Sequence, residues 1–141
     1  MATIDFKILT PEEEVYGEAI DSLTIDTQSG PITVLPNHVP LVSVLAPGEM
    51  IIKKGDEEIA MAVLGGFLEV QQGSKVIVLA DSAERAEDID LAKAEEAKKR
   101  AEELAKQKLS KDDQDYARVA AALERELAKI RVAKKHKNRA G

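Results

Sequence analysis

The chain has 141 residues with a net charge of −6; a third of them are charged, 3% are aromatic, and tryptophan and cysteine are absent. That length suits one domain with an appendage, the core has to be aliphatic, and disulfides and thiolate metal sites are excluded, which points to a reducing compartment. The overall acidity speaks against general nucleic-acid binding, and no run of about 18 apolar residues or basic-then-apolar leader is present, so a soluble protein that meets a membrane only through a partner is expected.

Ile4 to Leu9 alternates apolar and polar residues and reads as a half-buried strand, broken at Thr10-Pro11. Glu12-Glu13-Glu14 reads as a solvated loop. Val15-Tyr16 opens a short strand ending at Gly17, and Ala19 to Asp26 alternates again as one segment. Gln28-Ser29-Gly30-Pro31 is a turn cluster before a strand at Ile32 to Leu35. Prolines at 36 and 40 keep residues 36–41 irregular. Leu41 to Leu45 is apolar, and Pro47-Gly48 predicts a turn. Met50 to Lys54 and Glu58 to Val63 flank Gly55-Asp56 as a hairpin. Gly65-Gly66 suggests a bulge or a close backbone approach rather than a phosphate loop, since no lysine or strand–loop–helix context accompanies it. Phe67 to Val70 and Lys75 to Ala80 form a last hairpin around Gly73. About eight to ten short strands with frequent turns predict an antiparallel β-sandwich or flattened barrel.

From Ala83 to Arg131 there is no glycine or proline, and the apolar period lengthens from two to about three and a half. Asp88 reads as an N-cap, with a helix from about Asp90 to Lys108 carrying the stripe Leu91, Ala94, Ala97, Ala101, Leu104 and Ala105. Leu109-Ser110-Lys111 interrupts it, and Ser110 with Asp113 resembles a capping box. Tyr116, Val119, Ala120, Leu123, Leu127 and Ile130 form the seam of a second helix, followed by a basic, frayed tail at Lys134 to Arg139. The short break predicts an antiparallel two-helix hairpin. The division is therefore α+β, with a β platform at 1–84 and a helical hairpin with basic tail at 85–141.

Charge follows the same division. Residues 1–81 hold 13 acids and 4 bases, whereas residues 82–141 hold 13 acids and 16 bases. The helical part is suited to an acidic partner surface. Its seam is poor in large residues: an alanine methyl contributes about 0.8 kcal/mol on burial, against roughly 1.5–3 for leucine. Two packings of such a hairpin then lie within a few kcal/mol of each other.

Three stretches in this order, Gly30 to Leu41, Gly65 to Val70 and Ala83 to Asp90, make the whole chain resemble the epsilon subunit of F-type ATP synthases, of bacterial type. The resemblance implies a non-catalytic rotor subunit that couples proton-driven rotation to ATP synthesis. Its platform would lie at the foot of the central stalk against the gamma subunit and the c-ring. Its hairpin would lie folded or extend toward the alpha/beta catalytic head and slow ATP hydrolysis. The place implied is the cytoplasmic face of the bacterial plasma membrane, peripheral and within the complex. No cofactor is required, and ATP is a candidate regulatory ligand: in members that hold ATP the motif is Ile/Leu-Asp-x-x-Arg-Ala, matched here by Ile89, Asp90, Lys93 and Ala94 with lysine in place of arginine. Lysine meets phosphate as a point charge and lacks the guanidinium fork. Glu84, Arg100, Arg118 and Arg125 complete the implied nucleotide set, and His38, Arg118, Arg125, Lys129 and Arg131 are the implied partner contacts.

Read without the resemblance, His38 lacks a nucleophile elbow or acid–base partner, so a loop-packing or subunit-contact role is expected rather than catalysis, and His136 in the tail has too few neighbours for a metal site. The basic tail has no aromatic platform for nucleic acid. A stand-alone ATP-sensing module and a helical adaptor are the alternatives, and no constellation supports an enzyme.

Overall fold

Ile4, Phe6 and Ile8 leave one side of β1 (Ile4–Leu9) and are fully buried, while Asp5 and Lys7 leave the other and are exposed. This alternation makes one face of β1 core and the other surface, whereas Ile59 to Val63 further along are buried at both parities. The computed structural model describes residues 2–107 and 114–140. Met1–Arg85 and Ala86–Gly141 form two compact units.

The first unit is a sandwich of two sheets joined by one strand. One sheet runs β2 (Glu14–Ile20), β1, β8 (Lys75–Ala80), β7 (Gly66–Gln71) and the first residues of β5 (Leu41–Lys54). The other runs β4 (Gly30–Val34), β3 (Ser22–Thr27), the rest of β5, β6 (Glu57–Val63) and β9 (Ala83–Arg85). Neighbours are antiparallel except β1 and β8, which pair in parallel from Asp5 opposite Lys75 to Leu9 opposite Leu79. No hairpin constrains these two, because they are distant in sequence. Among the described residues, the largest fully buried side chains, Phe6, Leu23, Met50 and Leu68 among them, belong to this unit. The sandwich therefore carries a core of its own.

Pro47-Gly48 does not turn the chain. β5 runs through it, pairing with β7 at Leu41 to Val44 and with β6 from Gly48 onward. A proline is tolerated here because the strand bulges as it changes sheets: Ile25 faces Met50, yet Thr27 faces Leu45. The Asp26 carboxylate accepts the Glu49 amide at 2.9 Å, and a side chain at position 48 would run into that carboxylate. β2 also extends past Gly17 to Ile20, and the alternation expected over residues 19–26 is split at Asp21 between β2 and β3. Asp21 accepts the Gly55 amide at 2.6 Å, which ties this corner to the two-residue loop of the β5–β6 hairpin. Gly65 and Gly66 both have positive φ, and Gly66 lies against the Leu79 carbonyl, so the close approach is real.

The Tyr16 ring packs on Phe6 with centroids 5.8 Å apart. Burial, reinforced by the adjacent Glu18 carboxylate, pushes its phenol up to about 12. The Tyr16 hydroxyl, and then Lys54 at 3.2 Å, hold the Glu18 carboxyl below the usual carboxylate range. The two groups give opposite pH dependence. Glu18 contributes stability above its unfolded pKa, lost as pH falls through the lowered value. Tyr16 contributes stability below about pH 10, lost as pH rises toward about 12. Two pKa units correspond to roughly 2.7 kcal/mol, an upper bound on the alkaline loss. Denaturant midpoints between pH 9 and 12 are expected to fall in the native chain and to flatten in Tyr16→Phe; an identical alkaline limb in both would exclude the buried phenol as its source.

The second unit begins with a 3-10 turn at Ala86–Asp88, then α1 (Leu91–Gln107) and α2 (Gln114–Ala140), which pack on each other. Its start differs from expectation in two ways. Residues 83–85 are strand, paired with Val63 to Met61 of β6, rather than part of the helical stretch. Asp90, not Asp88, is the N-cap, because the 3-10 turn takes up Asp88 and the Asp90 carboxylate accepts the Lys93 amide at 3.1 Å. The tail is not frayed: α2 continues through residues 134–139, and basic residues suit the negative end of a helix dipole. The break at Leu109 to Lys111 and the Ser110–Asp113 capping box lie outside the described residues. Of the apolar stripe, Ala94 and Ala101 are buried and Leu104 is exposed.

Candidate functional site

Glu95 of α1 and Lys134 of α2 approach to 3.8 Å, so the start of α1 lies beside the end of α2 and the helices are antiparallel. This pair fixes the scale for the nucleotide-motif residues. Asp90 and Lys93 are exposed at the start of α1, Ile89 is half-buried just before it, and Ala94 is buried. The Asp90 carboxylate is engaged at the Lys93 amide as a helix cap. Arg100 is exposed two turns further along α1, and Arg118 and Arg125 are exposed on one side of α2. At about 1.5 Å per residue, Arg125 and Arg118 lie roughly 14 and 24 Å back along α2 from Lys134. Lys93 and Arg118 are thus at opposite ends of the hairpin. Glu84 is in β9 of the other compact unit. Among the candidate partner contacts on α2, Lys129 is half-buried and 4.0 Å from Glu126, and Arg131 is exposed.

The sandwich presents a second candidate surface. Val44 of β5 sits opposite Phe67 of β7, which sits opposite Leu79 of β8, forming an apolar row on the outward face of one sheet. These side chains are 41%, 52% and 46% exposed, and Val42, one pleat away, is 70% exposed. The core is complete on the other face, so fold stability does not account for this row. Contiguous exposed apolar surface of this kind marks a docking site.

The β4–β5 connection adds exposed Leu35 and Val39 on either side of His38. Its shape is held by Asn37, whose amide donates to the Ser74 hydroxyl at 2.7 Å, with the hydroxyl 3.2 Å from the Asn37 side-chain oxygen. Both residues have positive φ. His38 Nδ1 is 2.7 Å from the Val39 carbonyl; since a carbonyl only accepts, Nδ1 donates and Nε2 is left as the acceptor in the neutral ring. Among the described residues no group of acids and histidines is arranged to hold a metal ion, and no helix is long and apolar enough to cross a membrane.

A family model described as "ATP synthase, Delta/Epsilon chain, beta-sandwich domain" matches residues 3–86, and one described as "ATP synthase, Delta/Epsilon chain, long alpha-helix domain" matches residues 87–134. This chain belongs to the delta/epsilon chain family of ATP synthases. Chains named "ATP synthase epsilon chain" from Levilactobacillus brevis and Dehalococcoides mccartyi are each 42% identical to it, over 94% and 97% of its length and 96% of theirs. A chain in the cryo-EM structure of the Euglena gracilis mitochondrial ATP synthase, comprising OSCP, F1 and c-ring, superposes with a TM-score of 0.78 at 26% identity, covering 91% of this chain and 79% of that one. A chain from the central stalk and c-ring of the Tetrahymena thermophila enzyme shares the fold at a TM-score of 0.57 and 15% identity, covering 96% and 98% of the two chains. The delta/epsilon chain is an accessory subunit and not itself catalytic.

In this member of the family, sequence reasoning passed over the outward apolar row. A signal was present: Leu41-Val42-Ser43-Val44-Leu45 is apolar at both parities, which a strand with one wet face has no need of.

Proposed function

We propose that this chain turns with the central stalk of an F-type ATP synthase and regulates it, without an active site of its own. The observation that carries this reading is the outward row Val44–Phe67–Leu79 with Val42 beside it. A sandwich whose core is already closed gains nothing from exposing these residues unless a partner covers them. In this reading the row docks on the gamma subunit, and the His38 loop, stiffened by Asn37 and Ser74, serves contacts at the foot of the stalk next to the c-ring. The hairpin is the regulatory part. Its buried positions on α1 are both alanines, so the folded arrangement is only modestly favoured. Arg118, Arg125, Lys129 and Arg131 meet acidic surfaces of the alpha/beta head when the hairpin extends, and ATP hydrolysis slows. Attachment to the membrane is through the complex, at the cytoplasmic face of a bacterial plasma membrane.

The test is ATP hydrolysis by a catalytic head and gamma subunit lacking epsilon, with this chain added intact or ending at Glu87. The shortened chain keeps the whole sandwich core. Both forms are expected to bind and only the intact one to slow hydrolysis. Binding by both with no slowing removes the regulatory half of the proposal, and binding by neither removes the stalk assignment.

A further inference from the structure

Within the helical unit, the 3-10 turn and the start of α1 face the end of α2 across a groove of about 470 Å³. Ala86 and Ala133 are buried in its lining, and Ile89 and Leu91 are half-buried. Glu87, His136 and Lys137 supply its polar part, and Lys137 is exposed. The family model ends at residue 134, so two of the three polar lining residues lie outside the shared pattern. Of the residues that the nucleotide motif implicates, Ile89 lines this groove, whereas Asp90, Lys93, Ala94 and Arg100 do not.

We propose that this groove binds a small amphipathic anion: an apolar body with a single carboxylate or sulfonate. Three features specify that class. The volume is within the roughly 300–1,000 Å³ of small-molecule sites, and too small for a folded partner. The apolar lining is concave and mixed with few polar groups, the usual composition of such sites. His136 and Lys137 sit one after the other on α2, offering a ring N–H and an ammonium to one anionic head, while the Glu87 carboxylate in the lining is exposed and has an interaction of its own. A lysine near a helix C-terminus is favoured by the helix dipole in any case, but the dipole does not require a concave apolar surface beside it. A bound anion would span the 3-10 turn and the helix ends, tying Ala86 and Ile89 to Ala133, and so would favour the folded hairpin by mass action.

The test is methyl and amide NMR of the full chain titrated with 1-anilinonaphthalene-8-sulfonate and, separately, with octanoate below its critical micelle concentration. Saturable shifts clustered at Ile89, Leu91 and Ala133 are expected. Lys137→Ala is expected to weaken binding about fivefold, as for loss of one partly exposed ion pair, and His136→Ala with Lys137→Ala further. Lys93→Ala is expected to leave the affinity unchanged. Since Lys137 is exposed, its substitution keeps the fold, which the unperturbed spectrum of the free variant verifies. Shifts confined to Val42, Val44 and Phe67, a failure to saturate, or equal affinity in Lys137→Ala would each overturn the proposal. So would a loss in Lys93→Ala as large as that in Lys137→Ala.

Discussion

Phe67→Asp is expected to weaken binding to the gamma subunit at least a hundredfold while leaving the chain folded. Phe67 is 52% exposed at the middle of the apolar row, with Val44 on one side and Leu79 on the other. A charge on this outward face of the free chain stays in water, and surface substitutions of that kind usually change stability by no more than about 0.5 kcal/mol. In the complex the same charge would be buried without a partner, where a truncated ion pair costs about 3–5 kcal/mol, and an aromatic anchor would be lost as well. A hundredfold corresponds to roughly 2.7 kcal/mol, so the estimate is conservative. Calorimetric titration gives the affinity and a urea midpoint of the free variant gives the fold. Native affinity in a folded Phe67→Asp chain would show that the stalk partner docks elsewhere.

Gly66→Ala is expected to cost the sandwich about 3 kcal/mol or more. Its φ is +119°, and an added Cβ would run into the Leu79 carbonyl oxygen and lie 2.8 Å from the Ala80 Cα. Both obstacles are main chain, so the β7–β8 pairing would have to open where Gly66 faces Ala80. Backbone strain of this kind costs about 1–3 kcal/mol, and overpacking adds a comparable amount. Gly55→Ala is the control: its φ is +59°, but its added Cβ meets nothing within 4 Å, so only the conformational cost, about 1 kcal/mol, applies. Urea unfolding of the two variants separates crowding from φ. Equal losses would show that β7 and β8 do not approach as closely as the structure has them.

The sandwich was legible in the sequence where alternation and turn chemistry agree. The Gly55-Asp56 and Gly73 hairpins have apolar residues at period two next to a glycine able to take positive φ, and Ile4 to Leu9 has the same period ended by Thr10-Pro11. Reading failed where a tertiary contact overrode a local signal. Pro47-Gly48 has the composition of a turn, yet the Asp26 carboxylate and the change of sheet keep it inside β5. Ala83-Glu84-Arg85 has helical composition, yet the exposed edge of β6 captures it as β9. The candidate site was legible in part. The identity of Asp90 and Lys93 stands out in the sequence, but the use of the Asp90 carboxylate as a cap depends on where α1 begins. The apolar row depends on three strands coming into register, from residues as distant as Val44 and Leu79, and no local pattern carries that.

β5 has a mechanical consequence. Because its main chain passes from one sheet into the other, load applied at Val44 reaches Glu49 through covalent bonds and does not rely on side chains sliding across the core. From there, ladder hydrogen bonds to β6, and from β6 to β9, carry it to the end of the sandwich. A two-sheet sandwich held only by apolar contact would shear under torque. One threaded by a shared strand behaves as a stiff coupling, with Asp26 and Gly48 at the joint where it would first yield.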